Sequence, residues 1–184
     1  MNRVLASDTP QKIDESIAVA GWVQSRRDHG GLIFVDVRDH TGLVQLVIKP
    51  EQADAFGVAE QLRDEFVIRA EGRVKKRDAG LENPNIPSGG VEIVVETLDI
   101  LNRAETLPIQ PFSENQANEE LRLKYRYLDL RRPKMQHMLK RRAEMFTTIR
   151  SYMEGEDFTE VTTPILANSS PEGVRDFLIP SRLH

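Results

Sequence analysis

Phe34 and Gln45 open the chemistry of this chain. Alternation along Leu32-Ile33-Phe34-Val35-Asp36-Val37-Arg38 puts Ile33, Val35 and Val37 on one face and Leu32, Phe34, Asp36 and Arg38 on the other. An aromatic ring on a partly charged strand face is a stacking platform for a nucleic-acid base. The bland alternative is a ring packed beneath a loop or a helix. Gln45 alternates against Val44, Leu46 and Ile48. Its amide donates and accepts together, which suits a base edge; the alternative is an ordinary exposed polar residue. Arg26, Arg27, Arg38, Arg69 and the run Arg73-Val74-Lys75-Lys76-Arg77 could neutralise phosphates, although a charge run is more often a solvated face.

Other chemistries are poorly served. The chain has no cysteine, so disulfides, thiolate metal sites and a thiol nucleophile are absent. Its four histidines, His29, His40, His137 and His184, lack metal-ligand spacing. The 184 residues carry 25 basic and 29 acidic side chains, a net charge of −4. That total hides a segregation, because residues 122–142 hold nine basic residues and one acid. Such a block points to a polyanion, or to a helix face whose partners lie elsewhere in the fold. No apolar run approaches the roughly 20 residues of a membrane span. The first residues lack a signal peptide's apolar stretch, so a cytoplasmic protein without membrane contact is expected.

The elements that must position these groups read as short strands. Ile17–Val23 is apolar and runs to Arg26-Arg27, and Asp28-His29-Gly30-Gly31 signals a turn. Leu32–Arg38, the turn Asp39-His40-Thr41-Gly42 and the strand Leu43–Ile48 follow. Glu51–Arg63 has helical spacing, Phe66–Arg77 alternates, residues 78–90 form a Gly/Pro loop, and Val91–Leu101 is a fifth strand. Trp22 is read as structural. Five strands with a helix between the third and fourth is the order of an OB-fold barrel. The fold class expected is thus mainly β plus α, a five-stranded OB-fold barrel followed by helices. Residues 104–118 read as a linker, with Asn118 as an N-cap and Pro133 opening a helix to about Glu154. Met135, Met138, Leu139, Phe146, Ile149 and Met153 form its apolar stripe, and Phe158–Val161 is a short strand before Pro164.

Several stretches together resemble bacterial-type aspartyl-tRNA synthetase, a class II aminoacyl-tRNA synthetase. They are Gly21-Trp22-Val23 with Arg26-Arg27-Asp28, Leu32 to Asp39, and Asn102-Arg103-Ala104. More specific are Leu123-Lys124-Tyr125-Arg126-Tyr127-Leu128-Asp129-Leu130-Arg131-Arg132-Pro133 and Ser170 to Arg182. The resemblance implies residues 1–103 as an OB-fold anticodon-binding domain, 104–118 as a hinge, and 119–184 as the truncated start of a class II catalytic domain. It implies that Phe34 stacks on an anticodon base and that Arg27, Gln45 and Glu92 hydrogen-bond anticodon bases. Residues 143–164 are similar to motif 1, which builds the family's dimer, with Pro164 as its proline. Ser170–Asp176 resembles the loop that closes over aspartate, with Glu172 meeting the substrate ammonium.

The family joins aspartate to tRNA-Asp with ATP and Mg²⁺, and one branch also charges tRNA-Asn. His29 and Gly80 resemble that relaxed branch; the bland alternative is that both merely serve their turns. Motifs 2 and 3 are not in the chain. It is therefore expected, as an N-terminal fragment with no catalytic residue of its own, to bind the anticodon without aminoacylating. The stripe from Met135 to Met153 is expected to meet a copy of itself or to stay poorly ordered. The competing readings are a stand-alone OB module for RNA or single-stranded DNA, and an interaction protein that dimerises through residues 134–164.

Overall fold

The computed structural model describes residues 2–113, 115–166, 179, 180 and 182. They fall into two compact units, Met1–Pro108 and Ile109–His184. The first begins with a 3-10 helix, Ala6–Lys12, which the sequence pattern does not announce. Strands β1 (Ser16–His29), β2 (Leu32–Arg38) and β3 (Leu43–Ile48) follow. Helix α1 (Ala53–Glu60), β4 (Val67–Lys76) and β5 (Val91–Asn102) complete the unit. The strands close in the order β1-β2-β3-β5-β4. Every pairing is antiparallel except β3 with β5.

Alternation is what makes the core. Ile33, Val35 and Val37 of β2 point inward with Leu46 and Ile48 of β3, Val74 of β4, and Ile93 and Val95 of β5, and all are buried. Closure needs β1 to serve two neighbours. Its first half pairs with β4 and its second with β2, with a register shift between Val23 and Ser25. Such a bulge adds the local bend that lets one strand leave one partner for another. At two places between paired strands the backbones pass too close for a side chain. A Cβ on Gly21 would collide with the Arg38 carbonyl and sit 2.9 Å from Val37 Cγ1. A Cβ on Gly72 would collide with the Val94 carbonyl and sit 2.8 Å from Val95 Cα.

The structure departs from the sequence reading at several boundaries. β1 continues through Asp28-His29, so the turn shrinks to Gly30-Gly31. Both glycines have positive φ, 60° and 80°, as a two-residue hairpin with matching twist requires. The helix expected over Glu51–Arg63 is confined to Ala53–Glu60, although Leu62 still packs in the core. Phe158–Val161 is not a strand. Those four residues are exposed, and among the described residues no strand pairs with them.

Asp39 ties the 3-10 helix to the β2–β3 turn. Its carboxylate accepts from the backbone N–H of Thr41 at 2.7 Å and of Ala6 at 2.8 Å. Burial works to raise its pKa, but these bonds, with those from the Thr41 hydroxyl and the Gly42 N–H, hold it below the ordinary value.

In the second unit Asn118 Oδ1 accepts from Leu121 N at 2.8 Å, capping α2 (Glu119–Lys124). Helix α3 (Arg126–Asp129) leads to α4 (Pro133–Gly155), which opens on its proline. Asp129 is fully buried and accepts from Arg126 at 2.7 Å and Arg132 at 3.2 Å, with Arg122 at 3.9 Å. Three basic residues of the 122–142 block thus turn toward one carboxylate. No residue of α4 is buried, and Met138, Leu139, Phe146, Ile149 and Met153 are all exposed.

The close approach at Gly72 predicts that Gly72→Ala lowers folding stability by about 1–3 kcal/mol through overpacking. Gly57→Ala, in α1 with nothing within 4 Å of its Cβ position, should stabilise by up to about 1 kcal/mol. Denaturant midpoints of the two variants check the contrast.

Candidate nucleic-acid interface

The same alternation that buries Val35 and Leu46 fixes what the barrel shows outside. On β2 the outward residues are Leu32, Phe34, Asp36 and Arg38, with Phe34 and Asp36 at the centre. Across the strands Phe34 pairs with Arg27 of β1 and Val47 of β3. Asp36 pairs with Ser25 of β1 and Gln45 of β3. β3 runs parallel to β5 with Leu46 opposite Ile93 and Val47 opposite Val94. The preceding residues on the two strands are Gln45 and Glu92, which share the outer parity. Arg27, Phe34, Gln45 and Glu92 therefore lie on one continuous face.

The polar groups on this face are incompletely satisfied. Gln45 is only 8% exposed, yet among the described residues its amide makes no hydrogen bond. Glu92 forms no ion pair among the described residues. Burial pushes its carboxyl above the usual range, Arg77, Lys49 and Lys75 pull the other way, and Asp78 adds to the rise. Polar groups at such depth are ordinarily paired. Groups without internal partners on an open face are available to a ligand. Arg27 is different: its Nη2 donates to Asp36 Oδ2 at 3.1 Å, and Ser25 Oγ donates to the same oxygen at 2.7 Å. Sequence reasoning misses Ser25 and treats Asp36 only as charge; the outer parity that Asp36 shares with Phe34 is the available signal.

Four of the other expected phosphate ligands are engaged inside the protein, whereas Arg73, Lys75 and Lys76 are exposed. Arg38 bonds Glu65 at 2.8 Å and also Gln24. Arg69 bonds Glu71 at 2.7 Å. Arg26 donates to the Ala59 carbonyl at 2.8 Å and to Asp28. Arg77 Nε donates to the Val91 carbonyl at 3.1 Å. Trp22, read as structural, is 39% exposed.

His29 pairs with Leu32 and continues the outer parity to the hairpin tip, where it is exposed. Gly80 lies in the loop before β5 with φ 88°, a conformation that favours glycine. Pro164 is exposed in irregular chain beyond α4. Glu172 and most of the loop around it fall outside the described residues. Among the described residues no three His, Asp or Glu side chains are grouped to hold a metal ion. No helix among the described residues is long and apolar enough to cross a membrane.

The closed five-stranded barrel has the OB-fold, and residues 17–101 match the family of OB-fold nucleic acid binding domains. Residues 118–184 match the tRNA synthetases of class II that comprise the D, K and N types. Over nearly its whole length the chain is similar to aspartate–tRNA ligases. It is 50% identical over 177 residues, 96% of its length, to the aspartate–tRNA(Asp/Asn) ligase of Geobacillus sp. (strain WCH70). It is 50% identical over 175 residues to the ligase of the same name from Chlorobium phaeobacteroides. The chain spans only 30% and 29% of those two relatives. In structure it is similar to the asparaginyl-tRNA synthetase of Pyrococcus horikoshii complexed with asparaginyl-adenylate. The TM-score is 0.78 at 30% identity, over 94% of this chain and 39% of that one.

The raised pKa of Glu92 has a definite sign. The folded protein holds this proton more tightly than the unfolded chain, so stability falls as pH rises from 4.5 through the folded pKa. Glu92→Gln should therefore raise the thermal midpoint at pH 7 and flatten its pH dependence just above pH 4.5.

Proposed function

We propose that the outer face of β1, β2, β3 and β5 binds the anticodon of a tRNA. The observation that carries this is Phe34, an outward ring set among polar groups that lack internal partners, Gln45 and Glu92. Phe34 stacks on one base, while Arg27, Gln45 and Glu92 bond to base edges. The match of residues 118–184 to class II tRNA synthetases and of residues 17–101 to OB-fold nucleic acid binding domains supports the reading.

The whole protein, on this proposal, attaches aspartate to tRNA-Asp at the expense of ATP, with Mg²⁺ as cofactor, in the cytoplasm. We place the anticodon domain at residues 1–103, a hinge at 104–118 and the start of the catalytic domain at 119–184. Glu172 meets the aspartate ammonium. The exposed stripe on α4, with Pro164 beyond it, forms the homodimer contact. His29 and Gly80 set a tolerance for tRNA-Asn as well as tRNA-Asp. The similar ligases bear the name Asp/Asn.

Loss of one stacked base predicts that Phe34→Ala weakens binding of an RNA stem-loop with an aspartate anticodon by about 1–3 kcal/mol, about fivefold to 150-fold. Fluorescence anisotropy reads this, and an unchanged dissociation constant would reject the face. With the unsubstituted chain, stem-loops bearing aspartate and asparagine anticodons should bind within about threefold of each other. A preference for the aspartate loop above about tenfold rejects the roles given to His29 and Gly80.

A further inference from the structure

Arg27 is an exposed cation on the reading face, its side chain 58% accessible. A free guanidinium there would attract phosphate, which every RNA strand carries regardless of sequence. It is not free. Asp36 Oδ2 accepts from Arg27 Nη2 at 3.1 Å and from Ser25 Oγ at 2.7 Å. Ser25 stands at the β1 register shift, and Asp36 is the direct cross-strand partner of both Ser25 and Gln45. The carboxylate therefore sits between Ser25 and Gln45, in the row next to Arg27–Phe34. An ion pair this accessible contributes little to stability, so its value lies in what it does to a ligand.

Two effects follow from the geometry. Tying one nitrogen of the guanidinium fixes the plane of the remaining donors, which suits a planar base edge. Placing a negative charge beside Arg27 cancels its field and repels phosphate from the centre of the face. A strand is then admitted bases first. We propose that Asp36, held by Ser25, is a positioning residue that makes Arg27 a reader of bases instead of a binder of phosphate, and so sets the specificity of this face. The proposal rests on the reading of the face as an anticodon site.

The test measures binding of two RNA stem-loops across a series of salt concentrations. One carries an aspartate anticodon and the other has those three bases replaced. The 184-residue chain is compared with Asp36→Asn, Ser25→Ala, Arg27→Ala and the Arg27→Ala/Asp36→Asn double variant. Asp36→Asn should narrow the preference for the aspartate loop by about tenfold. Affinity for the replaced loop should rise, and the slope of log K against log[salt] should steepen by about 0.7, the signature of one added phosphate contact. Ser25→Ala should shift both readouts the same way by less, and it answers the question if Asp36→Asn does not fold. In the Arg27→Ala background, Asp36→Asn should move neither. Equal weakening of both loops, with the salt slope unchanged, marks a merely structural role and overturns the proposal. If the unsubstituted chain prefers the aspartate loop, loses that binding in Phe34→Ala, and yet is indifferent to Asp36→Asn and Ser25→Ala, this proposal alone falls. No preference by the unsubstituted chain overturns the anticodon reading with it.

Discussion

Everything on the barrel depends on how closely its strands pass at Gly21 and Gly72. Backbone carbonyls of Arg38 and Val94 occupy the space where a side chain would begin. That approach lets β1 turn from β4 to β2 and lets β4 wrap onto β5, so the sheet closes. Closure then dictates parity. Once Val35, Leu46 and Ile93 must fill the interior, Phe34, Asp36, Gln45 and Glu92 have no choice but to face out. The reading face is thus a by-product of the core's geometry, which gives it rigid strands as a frame.

Charge works locally in this molecule. The net −4 says little about whether a polyanion can bind. Within the basic segment 122–142, Arg122, Arg126 and Arg132 converge on buried Asp129 and serve the fold of the second unit. On the barrel, Arg38 and Arg69 have acidic partners as well. What the outer face offers is hydrogen-bonding groups without internal partners, at the cost of burying Glu92 against its preference for water. A sheet selected for stability alone would have placed an apolar or paired residue there.

Much of the barrel and its face is legible in the sequence because strand parity is a strict constraint. Alternation alone sorts Ile33, Val35 and Val37 from Phe34 and Asp36, and the turn Asp39-His40-Thr41-Gly42 carries its own side-chain chemistry. The Asn118 cap and the Pro133 helix start are local signals too, and both hold. The rest depends on distant partners. The extension of β1 through His29 needs β2 alongside to pair Asp28 and His29 with Ile33 and Leu32. The strand expected at Phe158–Val161 has no such partner among the described residues and is irregular. The capture of three arginines by Asp129 and the bond from Ser25 to Asp36 are encounters between side chains that charge counting does not reveal. The roles given to Glu172, His29, Gly80 and Pro164 rest on the family resemblance rather than on this geometry.

The central claim is that the barrel's outer face, and not the basic segment, meets the anticodon. Backbone and side-chain NMR shifts of the chain titrated with an aspartate-anticodon stem-loop test it most directly. The largest changes should fall at Arg27, Phe34, Asp36, Gln45 and Glu92, with residues buried in the barrel little affected. Changes confined to residues 122–142, with Phe34 and Gln45 unmoved, would contradict it.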